Sequence, residues 1–255
     1  MSQVLYRKEG RIAYISLNNP QSLNAVNRAM VQELAKVWID FRDDDNVWVA
    51  ILSGEGKSFC AGADVKDMKR GTWRFRDSLI FGDDRMAPSS YQVWKPIVAA
   101  VHRHVYGAGL WLALEADMIV ASEDAKFGVP EGMVNVPTLF AAWSNRYFTH
   151  AITGELLYTG KPLNAERAYQ IGLINQVVPS GQVMAAATSV AEQICANGPL
   201  SIWATKEMYR RGCNMHDEEK VALTEHIAVP VFNSEDSIEA KQAFVEKRKP
   251  EWKLK

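Results

Sequence analysis

"KPIVAAVHRHVYGAGLWLALEAD", residues Lys95 to Asp117, starts as an apolar strand-like run, passes through Gly107-Ala108-Gly109 and continues as an apolar helical stretch. A buried strand delivering the chain to a helix through a glycine turn is a building unit of α/β folds. A dinucleotide fingerprint would need a third glycine where Leu112 stands, directly after a strand, but His102 to Tyr106 separate "IVAAV" from the turn. Two readings remain. The helix start from Ala108 to Glu115 offers amide N–H groups without intrahelical partners, which suits an anion. Alternatively, the glycines only let the helix approach the sheet closely.

The flanking sequence extends the pattern. "VLYRKEGRIAYISLNN" alternates around Glu9-Gly10 as a hairpin does, and "NRAMVQELAKVWIDFRDD" repeats Met30, Leu34, Val37 and Phe41 at helical spacing behind a capping Asn27. "VWVAILSG" and "DMIVAS" read as buried strands, and "DVKDMKR" as a short helix. After Pro130 come "NAERAYQIG", a short "LINQVV" and four helical patterns, the last capped by Ser234 with Glu235 and Asp236 in its first turn. The prediction is α/β with a largely helical final third, without internal repeats or low-complexity linkers.

Bulk properties narrow the function. The 255 residues carry a formal charge of −1, so no net positive field attracts nucleic acid or an acidic membrane surface. No apolar run approaches the roughly 20 residues of a membrane span. Cys60, Cys195 and Cys213 are an odd set without metal-ligand spacing, which suits a reducing compartment and predicts a cytoplasmic protein. His102 and His104 form a His-x-His pair for which no third ligand is evident, so capping or lining the loop is the stronger expectation and no metal is predicted.

"GKSFCAGADVKDM", Gly56 to Met68, is a second strand-exit turn, with Gly62 leading into a short helix starting near Ala63 or Asp64. With "NNPQSLNAVN", "AKFGVPE", "TGKPLNAERAYQIGLINQVVP" and "SEDSIEAKQAFVEKRKPEW", the chain resembles the crotonase superfamily, the enoyl-CoA hydratase/isomerase family, over most of its length. The resemblance implies a spiral of β-β-α units in a core domain over residues 1–195, carrying the coenzyme A thioester site. It further implies a helical trimerisation region over 196–255, giving a trimer or a dimer of trimers.

By the same resemblance, the amides of Ala63 and Ala108 hold the thioester oxygen, framed by Gly62, Asp64, Gly107 and Gly109. Lys57, Lys66 and Lys247 are candidates for the coenzyme A phosphates, and Phe244 packs near the nucleotide from a neighbouring subunit. Coenzyme A enters as part of the substrate, and no separate cofactor is implied. Glu131, in the Val-Pro-Glu corner, takes the place of the proton shuttle; flanked by Val129 and Met133, it is either a buried acid with a raised pKa or a solvated turn carboxylate.

The chain departs from the two-carboxylate hydratases at Trp111, which replaces the first acid and either lines the acyl pocket or packs in the core. Glu115, one turn further along the same face, could substitute for that acid, although a structural role fits its displacement of about 5 Å better. "TLFAAWSNRYFTHA" also lacks the Gly-Gly-Thr-Gln-Arg-Leu stretch common in hydratases. The expectation is a hydratase/isomerase-type acyl-CoA enzyme with a single Glu; a one-acid lyase or hydrolase and a non-catalytic acyl-CoA-binding fold are the alternatives.

Overall fold

Alternation of apolar residues with both faces covered governs the main sheet. The computed structural model describes residues 2–66 and 85–255. β1 (Val4–Glu9) and β2 (Ile12–Leu17) form the antiparallel hairpin, and β2 continues in parallel with β3 (Val49–Gly54). β4 (Ile97–Val101), β6 (Met118–Ser122) and β9 (Gln176–Val178) complete a sheet ordered β1-β2-β3-β4-β6-β9. Ala50, Leu52, Ala99 and Val101 enter the larger core, whereas Val49, Ile51, Val98 and Ala100 enter a second core on the opposite face. A parallel sheet buried on both sides produces such continuous apolar runs.

α1 (Arg28–Asp43) covers the larger core. The Asn27 side chain accepts from the Met30 N–H at 2.9 Å, and Met30, Leu34, Val37 and Phe41 are buried as their spacing requires. Trp38 is equally buried and donates from its indole to the Met86 carbonyl at 2.8 Å. α5 (Val183–Cys195) closes the opposite face with Val183, Ala187 and Ala191.

A second sheet, β5-β7-β8, positions the site. β5 (His104–Tyr106) lies within the segment read from sequence as a spacer, because three residues are too few to display a period. β7 (Lys126–Gly128) runs parallel to β5, with β8 (Leu163–Asn164) antiparallel beyond it. The chain alternates between sheets, β4 to β5 to α2 (Ala108–Leu114), then β6 to β7 to α3 (His150–Thr159), the β-β-α spiral expected from the resemblance. α4 (Ala165–Gln170) leads into β9. The final third consists of α5, α6 (Pro199–Gly212), α7 (Asp217–Phe232) and α8 (Glu235–Glu246), the last capped by Ser234 accepting from the Ser237 N–H at 3.0 Å. Among the described residues no helix is long and apolar enough to cross a membrane.

Candidate active site

The two glycine turns lie side by side because β5 pairs with the strand-exit segment of the first turn. The Cys60 N–H donates to the His104 carbonyl at 2.9 Å, the Tyr106 N–H returns a bond to the Cys60 carbonyl at 3.0 Å, and a Cβ on Gly62 would lie 3.4 Å from the Tyr106 carbonyl oxygen. On its other side the first turn is clamped to Val26, which donates to the Gly62 carbonyl and accepts from the Asp64 N–H, each at 2.8 Å. This two-sided clamp engages the groups flanking Ala63, and no hydrogen bond from the Ala63 N–H to a described residue occurs. Helical residues begin at Val65; the rest of the short helix read in "DVKDMKR" lies outside the described residues.

The second turn is fixed from β7. The Gly107 N–H donates to the Gly128 carbonyl at 2.9 Å, and Gly107 adopts φ +50° and ψ −117°, a conformation that glycine alone accepts readily. Ala108 then starts α2, where its N–H precedes the first intrahelical bond, from Trp111 to the Gly107 carbonyl at 3.0 Å. The close-approach reading of the turn holds at Gly109, where a Cβ would meet Cys60 Sγ at 2.7 Å.

β7 carries the chain from Gly128, opposite Tyr106, directly into a 3-10 helix, Pro130–Val134, that bears Glu131. The Glu131 carboxyl rests on Gly107, where a Cβ would stand 3.1 Å from its Cδ. Its Oε2 is buried without a hydrogen-bond partner among the described residues. Burial pushes the pKa above the usual carboxylate range, opposed in part by its own backbone N–H. The expected flanking is corrected in one respect. Val129 is buried, but Met133 is 74% exposed, because two residues along a 3-10 helix point well away from Glu131. The Gly107 backbone, rather than Met133, lies against the carboxyl.

Trp111 is 6% exposed within the larger core and stacks on Phe140 (6.1 Å between centroids, 22°) and Trp143 (6.3 Å, 18°). Phe140, Trp143 and Tyr147 escaped the sequence reading, although their spacing of three and four residues was a usable signal. Glu115 is 6% exposed; its Oε1 accepts from the Tyr147 hydroxyl at 3.2 Å, and Oε2 has no partner among the described residues. The imidazoles of His102 and His104 engage the Gly56 carbonyl at 3.1 Å and the Ser58 hydroxyl at 2.8 Å.

Gly62, Ala63, Asp64, Gly107, Ala108, Gly109 and Trp111 thus gather around one meeting of two turns, with Glu131 against it. Lys57 and Lys66 are exposed on the first turn. Phe244, 85% exposed, and Lys247 stand at the end of α8, with no hydrogen bond or ring contact to the turns among the described residues.

Known proteins are similar to this chain over its whole length. A family model described as enoyl-CoA hydratase/isomerase matches residues 7–255. Carnitinyl-CoA dehydratase of Proteus mirabilis (strain HI4320) is 35% identical, the match covering 99% of each chain. Short-chain-enoyl-CoA hydratase of Clostridium acetobutylicum is 32% identical over 98% of this chain and 97% of its own. The crystal structure of enoyl-CoA hydratase from Mycobacterium tuberculosis H37Rv superposes with a TM-score of 0.93 at 36% identity over the full length of both. With the glycine turns, the Val-Pro-Glu corner and the β-β-α spiral all in place, the chain belongs to the enoyl-CoA hydratase/isomerase family and has its crotonase fold.

Proposed function

We propose that the amides of Ala63 and Ala108 receive the thioester oxygen of an enoyl-CoA, and that Glu131 moves protons at the neighbouring carbons. The observation that carries this reading is the Glu131 carboxyl, seated against Gly107 with a buried oxygen left without a partner among the described residues. A buried acceptor of this kind is costly unless a ligand or water completes it. The position beside the anion-accepting turn makes the substrate the natural completion.

The chemistry follows from where charge moves. Glu131 as carboxylate removes a proton from the carbon next to the thioester, and the electron pair delocalises onto the thioester oxygen held by the two amides. Each such donor is worth about 10²- to 10³-fold in rate, because the charge develops only in the transition state. The raised pKa makes Glu131 a stronger base than a solvated carboxylate. Returning the same proton two carbons further along converts a 3-enoyl thioester into a 2-enoyl thioester with one carboxylate alone. Trp111 cannot exchange protons, so the site favours this isomerisation.

A second reading draws on the relatives named as a carnitinyl-CoA dehydratase and a short-chain-enoyl-CoA hydratase. There Glu131 alone would activate and deliver both elements of water. Comparing 2-enoyl-CoA with 3-enoyl-CoA as substrate separates the two. Glu131→Gln tests the shared step: exchange of the substrate's α-proton with solvent should vanish while thioester affinity persists, and undiminished exchange removes Glu131 from the mechanism.

The phosphates of coenzyme A would meet Lys57 and Lys66 beside the first turn. Phe244 and Lys247, exposed at the end of α8 without a hydrogen bond or ring contact to the turns among the described residues, would serve a neighbouring subunit of a trimer or a dimer of trimers, with residues 196–255 forming the contact. No additional cofactor enters this chemistry. Unpaired cysteines fit a cytoplasmic setting.

A further inference from the structure

Glu115 lies at a junction that neither the oxyanion turns nor Glu131 explains. It directly follows α2 and donates its N–H to the Trp111 carbonyl at 3.0 Å, so its position is communicated through one hydrogen-bonded turn to Trp111. Its carboxylate holds the Tyr147 hydroxyl, and Tyr147 donates its N–H to the Ser144 carbonyl at 3.0 Å in the segment that carries Phe140 and Trp143. Those are the two rings stacked on Trp111. Glu115 therefore ties both sides of the aromatic wall together.

The junction is also anchored to the C-terminal helices. Arg210, on α6, donates to the Glu115 carbonyl at 3.0 Å and faces Asp117 Oδ1 at 3.6 Å. Burial works against its charge, but Asp117 and Glu115 outweigh this and hold it protonated. Lys206, one turn earlier, bonds to Asp117 at 2.6 Å and to the Lys95 carbonyl at 2.8 Å. Beside these contacts lies a cavity of about 880 Å³, lined among others by Leu114, Met118, Ile202 and Tyr209. At this end α6 borders a cavity, so the polar contacts add to the packing of Trp203 on the second core in holding the helix in place. Oε2 of Glu115 has no partner among the described residues, so within them the carboxylate is not consumed in a complete ion pair.

We infer that Tyr147 and Arg210 are positioning residues for the wall formed by Trp111, Phe140 and Trp143, acting through Glu115, so that α6 sets which acyl groups the site accepts. The inference rests on the acyl-CoA reading given above, with Trp111 one helical turn beyond Ala108. Neither residue touches the reacting atoms. Their effect is on the shape of the wall, and hence on selection among acyl chains rather than on coenzyme A recognition.

The test measures affinities of free coenzyme A and of saturated acyl-CoAs of increasing chain length by calorimetry, for wild type, Tyr147→Phe, Arg210→Met and Arg210→Lys. Near-ultraviolet circular dichroism of the same proteins, read only in the long-wavelength tryptophan band where tyrosine does not absorb and as a difference from the Trp143→Phe variant, reports the Trp111–Trp143 stacking without any ligand. Tyr147→Phe should keep coenzyme A affinity within about twofold, shift the chain-length preference by about tenfold and alter the near-ultraviolet spectrum. Arg210→Met should do the same, Arg210→Lys should recover part of the preference, and the double variant with Tyr147→Phe should be no worse than the more impaired single. An unchanged chain-length profile in folded Tyr147→Phe, or equal weakening of every ligand, overturns the inference. Should Arg210→Met not fold, Tyr147→Phe decides. Should the wild type bind no acyl-CoA at all, the acyl-CoA reading fails separately, and an unchanged spectrum in Tyr147→Phe overturns the junction as well.

Discussion

Glu131 packs its carboxyl on the glycine that opens the second turn: a Cβ on Gly107 would overlap Oε1 and sit 3.1 Å from Cδ. The turn and the acid are thus mutually dependent. Gly107 also holds φ +50°, which an L side chain adopts only under strain. Gly107→Ala should therefore cost about 1–3 kcal/mol of stability and, by displacing Glu131, on the order of 10²-fold in kcat. Thermal unfolding and steady-state kinetics on an enoyl-CoA check the two parts. Full activity would mean that the contact has no bearing on the chemistry.

Glu131 should be a site where function opposes stability. Its folded pKa is raised by burial, so the folded state binds this proton more tightly than the unfolded chain does. The stability it contributes is fully present below the ordinary carboxylate pKa and is lost as pH rises through the raised folded value. Glutamine keeps the shape without titrating. Glu131→Gln should then raise Tm by about 2–4 °C near neutral pH and by nothing at acid pH. Melting curves between about pH 4 and pH 8 would show the two proteins converging on the acid side.

Much of this was legible in the sequence, because strong periodicity and side-chain caps are local signals. Asn27, Ser234 and the apolar stripe of α1 each specify an element without help from distant residues. β5 was not legible, since three residues carry no period and its identity depends on pairing with β7. In the site, the turns could be read as glycine-bearing strand exits, whereas Glu131 was marked by the resemblance of the Val-Pro-Glu corner to the family's motif. The link from Glu115 through Tyr147 and Arg210 joins residues 32 and 95 positions apart, a separation that only the fold closes. Met133 shows the converse error: adjacency in sequence suggested burial that 3-10 geometry denies.

The three thiols should report the packing behind the second turn. Cys60 is buried against Gly109, and burial pushes its pKa up to about 12, whereas Cys195 is half-buried and raised to about 11 and Cys213 is exposed. A chromogenic disulfide reagent should modify Cys213 first and Cys195 slowly, leaving Cys60 untouched until the protein unfolds. Gly109→Ala should expose this dependence by accelerating modification of Cys60, because a Cβ there cannot coexist with Sγ in its present place. Mass spectrometry of the labelled peptides assigns each site, and rapid labelling of Cys60 in the native wild type would contradict the packing.

Asp117 should prove the energetic keystone of the joint between α6 and the core. It accepts from the Ile97 N–H at 2.8 Å, pairs with Lys206 at 2.6 Å and faces Arg210. Asp117→Asn retains an oxygen for Ile97 and removes the charge, leaving two largely buried cations facing each other. Such a loss costs about 1–3 kcal/mol, above a surface pair because both cations are largely buried and below a fully buried one because Asp117 is partly open to solvent. Burial already lowers the Lys206 pKa against the pull of Asp117, and without that carboxylate the lowering should deepen. A lysine whose folded pKa is depressed makes the folded state gain stability as pH rises toward the unfolded lysine value. The deficit of Asp117→Asn should accordingly shrink on the alkaline side, and urea denaturation midpoints at neutral and alkaline pH measure it. A deficit independent of pH would assign the loss to the Ile97 hydrogen bond instead of the ion pair.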